Sequence, residues 1–220
     1  MKKYILILLF ITANSLSAQN IYTGISTNLV MPLYQSYGID ATVVDPESRF
    51  QFMFGFYFTT GKFNGNQNKS IPKYDSRYME KKSDKITGPG FDLQVRYELY
   101  SKESEKSERK WLASLGFLRQ NLECDYYKND YVLNPADNLY HYELQEYVSP
   151  VKRNLLHLQL VRQVSGRLLF GEFGFGLAYS APLQEDDFKR SRNYGKSAFD
   201  FTYSGIAPCF SLRIGAWINK

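Results

Sequence analysis

Two histidines and two cysteines are the whole supply of imidazole and thiol in this chain. His141 has Asp137 and Glu143 nearby, and imidazole beside carboxylate is half of a general-base arrangement. In a polar segment the same neighbours describe a solvated loop histidine, which is the reading adopted. His141, His157, Cys124 and Cys209 stand at unrelated positions and show no metal-ligand spacing. No glycine-rich phosphate loop or nucleophile elbow appears. The sequence therefore predicts no enzyme, no metal site and no cofactor. Cys124 and Cys209 read as buried thiols on non-adjacent strands, with a bridge left open because Cα atoms must approach within ~7 Å.

The other residues with chemical potential alternate along apolar segments. Asp40, Asp92, Gln94, Arg96, Glu98, His157, Glu172 and Arg213 each share a face with small residues, opposite a face of large apolar ones. Pairing makes buried charge tolerable, while an unpaired buried charge costs about 3–5 kcal/mol. These eight are the expected polar network of a closed interior. Four acids face two arginines in that set, so water, tyrosine hydroxyls or a protonated carboxyl must satisfy the rest. A proton or ion path is the alternative use of the same groups.

Strands must position them. Phe50, Phe52, Phe54, Phe56 and Phe58 occupy every second position, so one face of that strand carries all five rings. Its length is close to the ~9–11 residues of a tilted strand that crosses a bilayer. Eight strand candidates follow, at 20–32, 35–45, 48–61, 88–101, 109–126, 148–164, 167–181 and 201–219. The fifth is the weakest: Trp111, Ala113, Leu115 and Phe117 face one way and leave Leu112 and Leu118 on the polar side, so a bulge is expected there. Connections alternate between short turns and longer loops, as in a barrel with all its turns at one end. Glycines 24, 38, 55, 116, 174, 176 and 215 lie on the polar face, with Gly171 an exception. Small residues suit the cramped inside of an eight-stranded barrel and phenyl rings its outside. The predicted fold is all-β, an eight-stranded antiparallel up-and-down transmembrane β-barrel whose five Phe face lipid. A lipocalin-like soluble barrel would reverse the two faces.

The first residues read as a secretory signal peptide over 1–18: Lys2 and Lys3, an apolar run Ile5 to Ile11, then Ser15 to Gln19. Residues 19–220 form one domain, with extended extracellular loops at 62–86, 126–147 and 182–198. Mean hydropathy is −0.39, which a barrel shares because only alternate residues meet lipid. The net charge of +5 is mild, and export excludes nucleic acid as a partner. Residues 62–85 carry net +4 and the segment 125–146 net −4. Tyr126, Tyr127, Tyr131, Tyr140, Tyr142 and Tyr147 flank the turn Asn134–Asn138 of a hairpin expected to extend strands five and six above the membrane surface. They are the candidate partner-binding surface.

The leader ending Ser-Ala-Gln, the alternating strands and the closing strand Phe210–Lys220 together resemble the small outer-membrane β-barrel proteins of Gram-negative bacteria, in the style of the Bacteroidota. The likeness is architectural and spans nearly the whole mature chain. Many such barrels end in an aromatic; here Lys220 is last and Trp217 is the nearest candidate. The resemblance implies a cell outer-membrane location. The expected role is structural or interactive: a barrel with a plugged lumen, an accessory subunit of a larger outer-membrane complex, with lipid and a protein as partners. The alternatives are a narrow channel or transporter for small solutes, then an outer-membrane enzyme or a soluble lipocalin-like binder.

Overall fold

The computed structural model describes residues 21–31, 35–63, 84–184 and 202–219, without the side chains of 62, 63, 128, 129 and 142–144. The leader, most of the loops at 62–86 and 182–198, and residues 32–34 lie outside the described residues. The strands are β1 (Tyr22–Asn28), β2 (Ser36–Asp45), β3 (Phe50–Phe63), β4 (Asp84–Glu103), β5 (Glu108–Asn134), β6 (Leu139–Ser165), β7 (Leu169–Gln184) and β8 (Gly205–Trp217). Each pairs antiparallel with its neighbour in sequence, and β1 pairs with β8 through Gly24↔Trp217 to Asn28↔Arg213, which closes the sheet. Turns at 46–49, 104–107 and 166–168 all lie at the end where the chain enters β1 and leaves β8.

Alternation fixes the two faces. In β3, Gln51, Met53 and Tyr57 are buried, while Phe52, Phe54, Phe56 and Phe58 are exposed and Phe50 is 39 % exposed. The neighbours continue the outer face: Tyr37 and Ile39 on β2, Phe91, Val95 and Tyr97 on β4, Leu156 and Leu158 on β6, Phe173, Phe175 and Leu177 on β7, Phe210, Leu212 and Ile214 on β8. Inside, most buried side chains are polar or charged. A water-soluble protein has these faces the other way round, and its largest apolar patch covers only about 300–600 Å². The lipocalin-like arrangement, with apolar residues inside, is therefore not the one found.

Several expectations need correction. The strands differ widely in length. β1 has 7 residues, whereas β5 and β6 have 27 each, against the ~9–11 of a spanning strand. The structure thus gives an all-β fold of eight antiparallel strands with an apolar outer face. Transmembrane describes what surrounds that face and is not a property of the fold, so it is dropped from the fold description. The hairpin expected to extend strands five and six over 126–147 is present, paired from Tyr126↔Tyr147 to Asn134↔Leu139. β4 ends its pairing with β5 at Lys85↔Asp125, and β7 ends its pairing with β6 at Val151↔Gln184. Among the described residues, the β5–β6 pair continues beyond those points as a two-stranded ribbon. The parity change expected in the fifth strand is absent there: Leu112 and Leu118 point inward and are buried. The irregularity lies in β4 instead, between Glu98 and Tyr100. Leu99 and Tyr100 consequently both face out, at 55 % and 56 % exposure.

Candidate functional site: the barrel interior

Register brings the interior together, because each inward side chain sits opposite an inward partner on the next strand. At the short-turn end Phe170 packs on Trp217 with ring centroids 4.5 Å apart, joined by Val44 and Tyr22. Trp217, considered from sequence as a terminal aromatic, thus closes the floor from inside. Gly24 and Gly215 make room for these rings. A Cβ on Gly215 would run into Phe170.

Above the floor lies the ionic layer. Arg96 on β4 reaches across to Glu172 on β7 with two bonds from Nη1, 2.9 and 3.0 Å long. Its Nε and Nη2 donate to Gln94 Oε1 at 3.1 and 3.0 Å. Gln163 donates to Glu172 at 2.8 Å. Arg213 on β8 donates from Nε to Asp40 Oδ2 at 3.0 Å, and the Tyr57 hydroxyl donates to the other Asp40 oxygen. His157 Nε2 lies 3.0 Å from Asp92 Oδ1, so Nε2 carries the proton donated to the carboxylate. Gln94 Nε2 donates to the second Asp92 oxygen at 2.6 Å. Glu98 takes no part in this layer. It pairs at 2.9 Å with Lys110, whose Nζ also meets Glu108 at 2.8 Å.

All eight polar residues expected inside the barrel therefore point inward, seven of them into one connected neighbourhood and Glu98 into a separate pair nearer the turns. Sequence reasoning missed Lys110, which balances Glu98, and Tyr57, which caps Asp40. Lys110 is readable in hindsight, because it shares the inward parity of Leu112 and Ser114. Tyr57 stood in plain view between two of the ladder phenylalanines.

A cavity of about 310 Å³ opens above the ionic layer. Its base includes His157, Arg213 and Gln159, and its wall Ile86, Leu118, Leu122 and Leu155. The interior is thus packed in its lower half, where the floor and the ionic layer cross it, with the cavity above among the described residues. Past the cavity, Ile86, Leu122, Cys124, Tyr126 and Val151 form a second buried cluster on β4, β5 and β6. Cys124 belongs to it and Cys209 lies half-buried with Gln159 Nε2 at 3.3 Å from its sulfur; the two are not joined.

The five described tyrosine side chains of this set do not form one surface. Tyr126 is buried and stacks on Tyr147, with centroids 5.7 Å apart. Tyr147 donates to Asp130 at 2.8 Å, and Tyr127 to Glu146 at 3.1 Å. Tyr131 and Tyr140 are open at 67 % and 69 %, near exposed Leu133 and Leu139. The Tyr142 side chain lies outside the described residues. His141 pairs with Asp137 at 2.6 Å at the exposed ribbon tip. Among the described residues no cluster of His, Cys, Asp and Glu has metal-binding geometry.

No family model matches the chain, and no curated protein does. Among solved structures, one similar chain is a major outer membrane protein from Thermus thermophilus, 13 % identical with a TM-score of 0.46 over 90 % of this chain and 99 % of that one. At that level the likeness carries no argument about fold or activity. The family resemblance drawn from the sequence is corrected accordingly: with no family and no curated protein matched, nothing assigns this chain to the Bacteroidota-type outer-membrane barrels.

Proposed function

We propose that this protein resides in a cell outer membrane with its apolar outer face against lipid, and that its role is structural or interactive. One observation carries the reading: charged side chains are buried inside while phenylalanine and leucine face out. In water such a face would forfeit about 25 cal/mol for each Å² of apolar surface left exposed. Against hydrocarbon the same face is at no disadvantage. Strand pairing to a closed ring leaves no backbone edge unsatisfied in lipid.

The partner-facing part is the β5–β6 ribbon. A lone hairpin is marginally stable in water, and this one is braced by the Tyr126–Tyr147 stack and the Tyr147–Asp130 and Tyr127–Glu146 bonds. It holds out Tyr131, Leu133, Leu139 and Tyr140, aromatic and aliphatic groups suited to a protein contact. The role is that of an accessory subunit that presents this ribbon to a larger outer-membrane assembly. Conduction is the less favoured reading, since the Phe170–Trp217 floor and the Arg96–Glu172 pair cross the interior.

Gentle detergent extraction followed by native gel analysis tests the reading. The protein should sediment with outer membranes and migrate in a complex larger than itself. Tyr131→Ser with Tyr140→Ser should release it as a folded, heat-modifiable barrel. Recovery from the periplasm without detergent would overturn the location. Solitary migration of the wild-type protein would overturn the role.

A further inference from the structure

We infer that the upper half of the barrel interior is a binding site for a small neutral amphiphile whose polar head both donates and accepts hydrogen bonds, such as an alkyl amide. The site goes beyond the structural role above and depends on neither a partner nor the ribbon.

Two side chains at the base have unused hydrogen-bonding atoms. Arg213 is 2 % exposed, and its Nη1 finds no hydrogen-bond acceptor among the described residues; Glu172 Oε2 is 4.0 Å away. His157 is 6 % exposed, and its Nδ1 has no partner among the described residues. Leaving such groups bare costs about 1–3 kcal/mol each, yet both line the same cavity. With Nε2–H directed at Asp92, the Nδ1 of a neutral ring is an acceptor. The site therefore offers one donor, from Arg213, and one acceptor, from His157.

Charge decides the class of head group. The carboxylates of Asp40, Asp92 and Glu172 already face Arg213, His157 and Arg96 respectively. An anionic head would add negative charge beside three carboxylates served by two arginines and a neutral imidazole, with Arg153 on the wall already donating to Ser180, and an ammonium head has no lone pair to accept from Arg213 Nη1. A primary amide fits: its carbonyl accepts from Arg213 Nη1 and its N–H donates to His157 Nδ1. The wall above is mixed: Ile86, Leu118, Leu122 and Leu155 offer apolar surface for a short alkyl chain beside the polar Thr59, Gln120 and Arg153. A volume of about 310 Å³ lies at the lower end of small-molecule pockets, which run from ~300 to ~1,000 Å³. That size suits a chain of a few carbons better than a full lipid.

The test uses the imidazole ¹⁵N resonances of the refolded full-length barrel in detergent. With two histidines in the chain, His141→Gln isolates the His157 signal. Hexanamide should shift it saturably, while hexanoate and hexylamine at equal concentration should leave it in place. Ala178, buried and paired with His157 across β6 and β7, points into the cavity. Ala178→Phe should fill the space and weaken the response at least tenfold, and Ala207→Leu provides a second filling variant should the first misfold. No saturable shift with hexanamide, equal shifts with all three probes, or a response unchanged in a folded filling variant would each overturn the site and leave a water-filled cavity.

Discussion

Arg96 and Glu172 stand on opposite walls of the barrel, 76 residues apart in sequence, and meet in a two-bond pair at 2.9 and 3.0 Å. Both are essentially excluded from solvent, with side-chain exposures of 0 % and 1 %. A buried pair of this kind is expensive to break from one side, because the remaining charge loses its partner but stays buried. Arg96→Met alone should cost about 3–5 kcal/mol of unfolding free energy. Glu172→Gln alone should be similar in sign. The double variant should cost less than the two added together. Urea-gradient unfolding of the refolded barrel measures all three, and strict additivity would show that the two residues are not coupled.

Lys110 should matter more than its position near a turn implies. Its Nζ is held between Glu98 and Glu108. Lys110→Ala leaves two carboxylates facing each other and should cost about 1–3 kcal/mol, the range for hydrogen bonds to charged groups. Replacing Glu98 by Gln in the same background should recover part of the loss. No recovery in the same unfolding assay would argue against the trio.

Two glycines on opposite faces of the wall should respond differently to alanine. A Cβ at Gly116 would strike the His157 ring, whereas at Gly171 the nearest atom is 4.0 Å away. Gly116→Ala should cost about 1–3 kcal/mol, as overpacking does, and disturb the His157 resonances. Gly171→Ala should be nearly silent. Equal effects at the two sites would contradict the assignment of faces.

Acid and alkali should loosen opposite ends of the molecule. Asp45 starts the turn at 46–49, where the Ser48 side chain and then the Glu47 amide hold its carboxyl below the usual range. A depressed pKa means the turn gains its full contribution above the ordinary aspartate value of ~4 and loses it as pH falls through the lower folded value. Tyr127 on the ribbon is shifted the other way: its bond to Glu146 raises the phenol pKa. That contribution is complete below the ordinary tyrosine value of ~10 and is lost as pH rises through the higher folded one. Carboxyl ¹³C shifts for Asp45 and phenolate absorbance compared between wild type and Tyr127→Phe read the two transitions. Transitions at unshifted values would remove the bonds from the account.

Parity was legible in the residues themselves. The phenylalanines of 50–58, the polar faces of 91–99 and 209–217, and the inward glycines each follow from alternation alone, since one buried face fixes a period of two. What alternation hides is the neighbour across the sheet. Glu98 and Lys110 sit on different strands, and only the β4–β5 register, with its bulge at Leu99, sets them side by side. The same limit applies to Arg96 with Glu172 and Arg213 with Asp40, where the interior layer was legible and the partners were not. Tyr126 shows the opposite lapse. It shares inward parity with Leu122 and Cys124, so its burial was readable, yet grouping it by residue type with exposed Tyr131 and Tyr140 concealed that. The cavity had no sequence signal, because it is a volume left between side chains from several strands.

The account rests on lipid covering the outer face, and a spin-label scan of residues 50–58 in reconstituted membranes tests that most directly. Labels at Phe52, Phe54 and Phe56 should be reached readily by oxygen and poorly by a water-soluble nickel chelate, with Met53 and Gly55 low for oxygen. Chelate reaching the three phenylalanine positions as easily as it reaches a label at Glu47 in the exposed turn would place that face in water and contradict the proposal.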